Sequence, residues 1–268
     1  MPDWIAVVIL GVIEGITEFL PVSSTGHLQL AGRWLKPQSE LFDIVVQCGA
    51  VLAVLVVFQK RVSTFAKEWR SPATRDYLAK LFVAFALTTF GVLAAEKIGL
   101  KVRKEDVAEN AWAIRVALAT LIGGVLFLVV EAWLKHKPGR AEISWAAAVA
   151  VGIAQVIAAT YSGSSRSGTT ILCALLLGVA RPTATEFSFL LGVPTLIAAG
   201  GYKLLKAWKH GELAGENWGL VLLATVVAAL MAFVAVKWLL RYVQTHTFTI
   251  FGWYRIALGG AILLILAS

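Results

Sequence analysis

Two glutamates, Glu14 and Glu18, lie four residues apart in an otherwise apolar run near the start of the chain. At that spacing both carboxylates lie on one face of a helix. A charged side chain at the centre of a bilayer costs about 2.5–3.5 kcal/mol on insertion scales, so a pair needs a compensating cation or partner. One interpretation is a structural pair bonded to a neighbouring helix. The other is a metal-binding or acid–base pair, since Mg²⁺ bound beside a phosphate substrate usually takes one or two carboxylates.

A cluster of hydroxyl residues with one histidine follows Pro21, which breaks a helix. The cluster comprises Ser23, Ser24, Thr25 and His27. A helix beginning here would direct free backbone N–H groups and the positive end of its dipole at an anion. Ser24 and His27 can face each other across one turn, as a nucleophile and its base would. The simpler interpretation is that Ser23 caps the helix and His27 packs, but the nearby glutamates favour chemistry.

A second cluster surrounds Arg166 with glycine and hydroxyl residues, among them Ser165, Ser167 and Thr170. The planar guanidinium matches two phosphate oxygens and never loses its charge. The cluster therefore predicts a phosphate-binding site. A second interpretation makes Arg166 the counter-ion of one of the two glutamates. The two interpretations are compatible, because an empty site would pair the opposite charges anyway.

The elements that carry these clusters belong to a membrane protein. Of the 268 residues, 59% are hydrophobic and only 15% charged, and the charges separate long apolar runs. A membrane span needs about 20 mostly apolar residues. The runs that reach or approach this length are 41–59, 78–95, 112–134, 187–203, 218–236 and 248–267. No linker separates domains, so residues 1–268 are predicted to form a single integral membrane domain. Basic residues in short loops suit anionic lipid head groups and argue against nucleic-acid binding.

Both clusters lie at the centres of interrupted apolar segments, 4–36 and 145–180. Irregular backbone at membrane depth survives only where it is buried in protein or lines a wet cavity. Both segments are therefore predicted to be re-entrant hairpins whose tips meet. Residues 11–16 also resemble residues 152–157, and residues 115–118 resemble residues 255–258, so that Arg255 falls at the repeat position of Arg115. Two matches at nearly the same offset, about 140, indicate two repeats, about 4–134 and 145–267. The predicted fold is an all-α polytopic membrane protein with about six transmembrane helices and two re-entrant helical hairpins.

An odd number of spans in each repeat would insert the second repeat upside down. Loops 60–80, 135–144, 181–186 and 237–247 would then share one side, with 12 Lys and Arg residues. Loops 31–40, 96–111 and 203–217 would share the other side, with 9. The positive-inside rule assigns the first set to the cytoplasm, so both termini and the first hairpin are predicted to face outward. Inverted repeats of this kind are typical of transporters, which leaves a polyprenyl-phosphate transporter or flippase as an alternative function.

Residues 14–27, which read EGITEFLPVSSTGH, resemble the first signature of the bacterial undecaprenyl pyrophosphate phosphatases, also called bacitracin-resistance proteins. Residues 163–170, GSSRSGTT, resemble the second signature of that family, Pro-Gly-x-Ser-Arg-Ser-x-x-Thr, and residues 186–191 resemble another family segment. The similarity covers essentially the whole chain. One departure is Ser162, where the second signature has proline. Phosphatidic acid phosphatases use similar short motifs, but they also need a second histidine, followed by an aspartate, shortly after the Ser-Arg pair. This chain has no such histidine and aspartate after Arg166, which argues against that family.

The resemblance implies hydrolysis of undecaprenyl pyrophosphate to undecaprenyl phosphate and inorganic phosphate, which recycles the carrier lipid of cell-wall synthesis. It implies a divalent cation, Mg²⁺ or Ca²⁺, held by Glu14 and Glu18. It also implies a multi-pass protein of the bacterial inner membrane whose site faces the extracytoplasmic side. The expected partners are the polyprenyl pyrophosphate substrate and membrane lipids, and the sequence leaves a homodimer open.

The same resemblance makes Ser24 the expected nucleophile, assisted by Glu18 or His27, with His27 itself as the second candidate. Arg166 and backbone N–H groups are expected to stabilise the transferring phosphoryl group. The remaining residues expected to contact the phosphates are Ser23, Thr25, Ser165, Ser167 and Thr170.

Overall fold

The computed structural model describes residues 2–35, 38–100, 102, 106–135 and 137–267. All regular secondary structure in these ranges is helical, apart from one isolated parallel β-bridge between Arg140 and Val179. The helices are α1 (Asp3–Thr17), α2 (Ser24–Ala31), α3 (Glu40–Val57), α4 (Gln59–Lys67), α5 (Pro72–Lys97), α6 (Glu109–Leu134), α7 (Trp145–Thr160), α8 (Arg166–Leu176), α9 (Arg181–Lys209), α10 (Trp218–Tyr242) and α11 (Thr249–Ala267). A short 3₁₀ helix covers Glu212–Gly215.

Five of these helices, α5, α6, α9, α10 and α11, are long and apolar enough to cross a membrane. Helices α3 and α4 form a sixth candidate if they count as one span, although they are bent by 68° at Phe58. The predicted all-α polytopic membrane fold is therefore confirmed. The loop charges predict that both termini face the outer side of the membrane. The terminal residues themselves, Met1 and Ser268, are not among the residues that the structure describes.

Several boundaries predicted from the sequence are wrong, because the helices extend into the charged segments. Loops 181–186 and 237–247 were expected, but α9 begins at Arg181 and α10 continues to Tyr242. Loops 60–80 and 203–217 are likewise shortened by α4, by the start of α5 and by the end of α9. Charge at the start of α9 is tolerated because Arg181 pairs with the buried Glu131 of α6.

Two pairs of short helices occupy the segments predicted as hairpins. The first hairpin consists of α1, residues 18–23 (the first tip) and α2, and the second consists of α7, residues 161–165 (the second tip) and α8. At 1.5 Å per residue, α1 and α7 are about 22–24 Å long, which is short of the roughly 30 Å hydrocarbon core. Each chain reversal within a tip ends on a serine in the left-handed region, Ser23 with φ 73° and Ser165 with φ 68°. Each serine side chain accepts a hydrogen bond from a backbone N–H, that of Gly26 or of Gly168, and so caps the helix that follows.

Each hairpin packs against a helix from the opposite half of the chain. Helix α1 packs along α10, and α7 packs along α5. Close approach depends on glycine, since a Cβ atom at Gly15 would lie 2.4 Å from the carbonyl oxygen of Ala228. Helix α3 packs against α9, and α6 against α11. This arrangement brings the two tips together.

Candidate active site

The two tips are bonded to each other and to α6. The buried hydroxyl of Ser167 donates to the carbonyl oxygen of Leu20 over 3.1 Å, which links the start of α8 to the first tip. The hydroxyl of Thr120 on α6 lies 3.3 Å from Ser23 Oγ and 3.1 Å from the carbonyl oxygen of Gly163. Gly163 is required here, because its φ is +95° and a Cβ atom would lie 2.5 Å from the backbone of Val116. The prediction that the tips meet is therefore confirmed among the described residues.

Ser24, the first residue of α2, is hydrogen-bonded to Glu18. Its hydroxyl donates to Glu18 Oε2 over 3.0 Å. Glu18 follows the last residue of α1 and is 8% exposed, so its carboxylate lies largely out of water. A carboxylate bonded directly to a serine hydroxyl is placed to accept that proton when the serine attacks. Of the two candidate bases, Glu18 is the one hydrogen-bonded to Ser24, and its role as the base stays a prediction.

Arg166 reaches the same carboxylate from the second tip. Its Nη2 atom lies 3.5 Å from Glu18 Oε1, and Nη1 donates to the carbonyl oxygen of Ser188 over 3.4 Å. The guanidinium lies 5.0 Å from the centre of the Phe19 ring, and Nε is buried without a hydrogen-bond partner. Both polar contacts are long for charge-assisted bonds, which are usually 2.7–2.9 Å. The guanidinium is thus a counter-ion of Glu18 whose donors remain free to turn to a phosphate.

Glu14 is the most isolated charged group of the site. It is 3% exposed, and neither of its carboxylate oxygens has a hydrogen-bond partner. The carboxylates of Glu18 and of Asp43 on α3 act on it electrostatically, and the Gln47 amide of α3 lies near its carboxylate. A buried carboxylate without partners is costly unless a cation or proton compensates it.

The donor set around Glu14 fits a hard divalent cation, which prefers oxygen ligands. Within the described ranges, however, no group of three or more His, Cys, Asp or Glu side chains is arranged to hold a metal ion. A cation on Glu14 and Glu18 would therefore complete its coordination with phosphate and water oxygens. The metal role of these two residues remains a prediction.

His27 is engaged away from Ser24. Its Nδ1 lies 2.8 Å from the carbonyl oxygen of Ser23, and because a carbonyl only accepts, Nδ1 carries the proton. The Nε2 atom lies 2.7 Å from the hydroxyl of Tyr254, and in the neutral ring it would accept a hydrogen bond from that hydroxyl. The Tyr254 ring also stacks on the imidazole at 5.5 Å. This geometry gives His27 a place beside the site and no bond to the candidate nucleophile.

The hydroxyl residues expected to bind phosphate fall into two groups. Ser23, Ser167 and Thr170 are buried, and their hydroxyls are used within the protein. Thr170, for example, lies 2.8 Å from the carbonyl oxygen of Arg166 and 2.6 Å from the hydroxyl of Ser188. Thr25 and Ser165 are half-buried at the starts of α2 and α8. The buried group shapes the two helix N-termini, and phosphate binding by Thr25 and Ser165 stays a prediction.

Sequence reasoning missed several residues that the fold brings to the site. They are Asp43 and Gln47 of α3, Ser188 and Gly192 of α9, and Tyr254 and Arg255 of α11. Two signals pointed toward them without assigning a role. Residues 186–191 resemble a family segment, and Arg255 falls at the repeat position of Arg115.

Comparison with known proteins matches residues 7–261 to the family of the bacitracin resistance protein BacA. An undecaprenyl-diphosphatase of Rhizobium etli is 48% identical over 96% of this chain and 95% of its own length. A protein of the same name from Xylella fastidiosa is 47% identical over 93% of this chain and 94% of its own. Another, from Xanthomonas campestris, is 45% identical over 98% of both chains.

Proposed function

Because this chain belongs to the BacA bacitracin resistance family, we propose that it is an undecaprenyl-diphosphatase. It hydrolyses undecaprenyl pyrophosphate to undecaprenyl phosphate and inorganic phosphate. The observation that supports this most directly is the Ser24–Glu18 hydrogen bond beside the guanidinium of Arg166. A nucleophile, its base and a phosphate-binding cation meet there, and a carrier of polyprenyl phosphate would not need the first two.

In the first step, the hydroxyl oxygen of Ser24 attacks the terminal phosphorus while Glu18 accepts the hydroxyl proton. The bond between that phosphorus and the bridging oxygen breaks, and undecaprenyl phosphate leaves. In the second step, water attacks the phosphorus of the phosphoserine, and the bond between phosphorus and the Ser24 oxygen breaks. That oxygen takes back the proton held by Glu18, and inorganic phosphate leaves with both protons of the water. Each step exchanges one P–O bond for another through a loose transition state, so positioning and charge stabilisation supply most of the acceleration.

Arg166 and the two helix N-termini stabilise the transferring phosphoryl group. When the proton moves to Glu18, that carboxyl becomes neutral and its attraction for Arg166 falls. The guanidinium can then turn fully to the phosphoryl oxygens, which gain charge at the same moment. The first backbone N–H groups of α2 and α8 have no partner within their helices and are suited to hold the other oxygens.

Glu14 and Glu18 are the residues that would hold a divalent cation, Mg²⁺ or Ca²⁺. Such an ion, when bound, would neutralise part of the negative charge of the pyrophosphate. The orphaned carboxylate oxygens of Glu14 support this assignment. The excess of Lys and Arg in the loops joining α3 to α5 and α6 to α7 supports an orientation in the inner membrane with the first hairpin entered from outside.

The test is phosphate release from undecaprenyl pyrophosphate by the purified full-length protein, with Ser24→Ala measured beside it. Release by the native protein and near-complete loss in Ser24→Ala are expected. A native protein that releases no phosphate, yet moves polyprenyl phosphate across vesicle membranes, would establish the transporter alternative.

A further inference from the structure

Arg255 of α11 is a buried cation that the proposed mechanism does not use. Its side chain is 0% exposed, and it is among the largest fully buried side chains of the described chain. No carboxylate forms a salt bridge with it in the described ranges. An isolated buried charge is strongly unfavourable unless hydrogen bonds compensate it.

Backbone carbonyls provide that compensation, and they come from three separate segments. The guanidinium donates to the carbonyl oxygens of Pro21 (3.4 Å), Ala119 (3.3 Å), Thr120 (3.1 Å), Gly163 (3.2 Å) and Ser164 (3.0 Å). The first lies in the first tip, the next two lie in α6, and the last two lie in the second tip. Nη2 makes three of these five contacts with two hydrogens, so at least one hydrogen is shared. Among the side chains, only arginine offers a planar fork of donors that can reach three segments at once.

Helix α6 is shaped to admit this side chain. A Cβ atom at Gly123 would lie 2.2 Å from Nη2 of Arg255, and one at Gly124 would lie 3.0 Å from its Cβ. Arg115, which the sequence repeat pairs with Arg255, is exposed instead. The buried arginine is therefore a feature of α11 and not a general consequence of the repeat.

We propose that Arg255 is a positioning residue that clamps the two tips together. Pro21 lies two residues before the serine that caps α2, and Gly163 and Ser164 lie just before the serine that caps α8. Fixing these carbonyls fixes the start of α2, which carries Ser24, relative to the start of α8, which carries Arg166. A displacement of about 1 Å between reacting groups can reduce a rate by about 10²-fold.

The direct test replaces Arg255 by Lys and by Met. Lysine keeps the charge but has three donors on a flexible stem, so it cannot hold all three segments. We expect Arg255→Lys to lower kcat by about 10–100-fold with a smaller change in KM, and Arg255→Met to lower it further. Arg115→Lys serves as the matched control on the exposed repeat position and should retain native kcat. Native kcat in Arg255→Lys would overturn the clamp, because it would show that charge alone is needed.

A second variant reaches the clamp without changing the arginine. Gly123→Ala should displace the guanidinium and reduce kcat in the same way as Arg255→Lys. Gly260→Ala is the control, since Gly260 lies on α11 with open space around its Cβ position. Equal kcat in Gly123→Ala and Gly260→Ala would contradict the proposal.

Amide hydrogen exchange separates positioning from general stability and does not depend on activity. In Arg255→Lys we expect faster exchange in residues 18–23 and 161–165, and unchanged exchange in α3 and α10. Uniformly faster exchange along the chain would reduce Arg255 to a structural residue and overturn the proposal. The kcat measurements depend on the proposed function, whereas the hydrogen-exchange measurement does not. A native protein without hydrolase activity would therefore refute the function while the exchange result still decides the clamp.

Discussion

At the scale of single residues, the partners of Ser24 and His27 separate their roles. Ser24 donates to Glu18, whereas His27 is occupied by the Ser23 carbonyl on one nitrogen and by Tyr254 on the other. A serine bonded to a carboxylate can lose its proton without the histidine. The geometry therefore favours Ser24 as the nucleophile with Glu18 as its base, and leaves His27 as a supporting group.

We predict that Ser24→Ala removes nearly all hydrolysis, while His27→Ala retains measurable turnover. Loss of a general base typically costs about 10²–10⁴-fold, and loss of a hydrogen-bonded support costs less. Single-turnover hydrolysis measured beside substrate binding gives the order of the two effects. The reverse order, with a phosphorylated His27 trapped at neutral pH, would make the histidine the nucleophile.

Arg166 yields a second prediction at the residue scale. Arg166→Lys keeps the charge and loses the planar fork that can hold two phosphoryl oxygens. We expect kcat to fall by at least about 10-fold while the protein still folds and inserts. Arg140→Lys, in a loop, is the control for the substitution itself. Native turnover in Arg166→Lys would mean that Arg166 serves only as the counter-ion of Glu18.

A third prediction at the residue scale concerns Glu14 and the binding of a divalent cation. Glu14→Gln keeps the size of the side chain and removes the charge that would attract a divalent cation. In the presence of pyrophosphate, we expect Mg²⁺ to raise the thermal unfolding midpoint of the native protein. In Glu14→Gln, Mg²⁺ should leave this midpoint unchanged. Glu142→Gln, at an exposed loop position, should behave as the native protein does. Full phosphate release in EDTA would leave both carboxylates with acid–base roles only.

At the scale of elements, α9 forms the wall against which Arg166 lies. Gly192 is the close contact, since a Cβ atom there would lie 2.2 Å from Nη1 of Arg166, and Ser188 one turn earlier accepts a hydrogen bond from the same atom. The start of α8 and the middle of α9 therefore form one unit that aims the guanidinium at Glu18. Through Ser188, the segment of residues 186–191 therefore helps to position the guanidinium of Arg166.

Gly192→Ala is accordingly predicted to displace the guanidinium and to lower kcat by about 10-fold or more. Gly201→Ala, in the same helix but with open space at its Cβ position, should leave kcat unchanged. The two variants differ only in what the added methyl group meets, so a phosphate-release assay on both tests the contact itself. Equal activities would show that Arg166 adjusts to α9 without losing its function.

At the scale of the whole molecule, the two hairpins approach each other between helices of the opposite halves, with α1 on α10 and α7 on α5. Such cross-packing makes each half depend on the other for its position. The packing also agrees with a second half that inserts in the opposite orientation. In that arrangement the two hairpins enter the membrane from opposite faces.

This orientation predicts the accessibility of two loops. In a background in which Cys48 and Cys173, both free thiols, are replaced by alanine, Ser71→Cys and Ala214→Cys should be labelled from opposite sides of the membrane. The first position precedes α5 on the predicted cytoplasmic side, and the second lies in the 3₁₀ helix on the predicted outer side. An impermeant thiol reagent applied to intact cells and to inverted vesicles gives the measurement. Labelling of both positions from one side would refute the inverted arrangement.

The class of protein and the candidate residues of its site could be predicted from the sequence. Apolar run lengths indicate six spans, and helix breakers mark the two hairpins, because these properties depend on residues that are neighbours along the chain. The proposed nucleophile and base could be found in the same way, since Ser24 and Glu18 are only six residues apart. The helix ends around Arg181 and Tyr242 could not be predicted, because Arg181 is stabilised by Glu131, which lies 50 residues earlier in α6.

The pairing of these groups, in contrast, depends on the tertiary fold. It bonded Ser24 to Glu18 instead of His27, and it brought Arg166 to Glu18 across 148 residues of sequence. It also placed Arg255 against the carbonyl oxygen of Pro21, 234 residues away. Neither local spacing nor hydrophobic periodicity contains these distances. They arise because a buried charge must find hydrogen-bond partners, and the packing of distant helices determines which partners lie within reach.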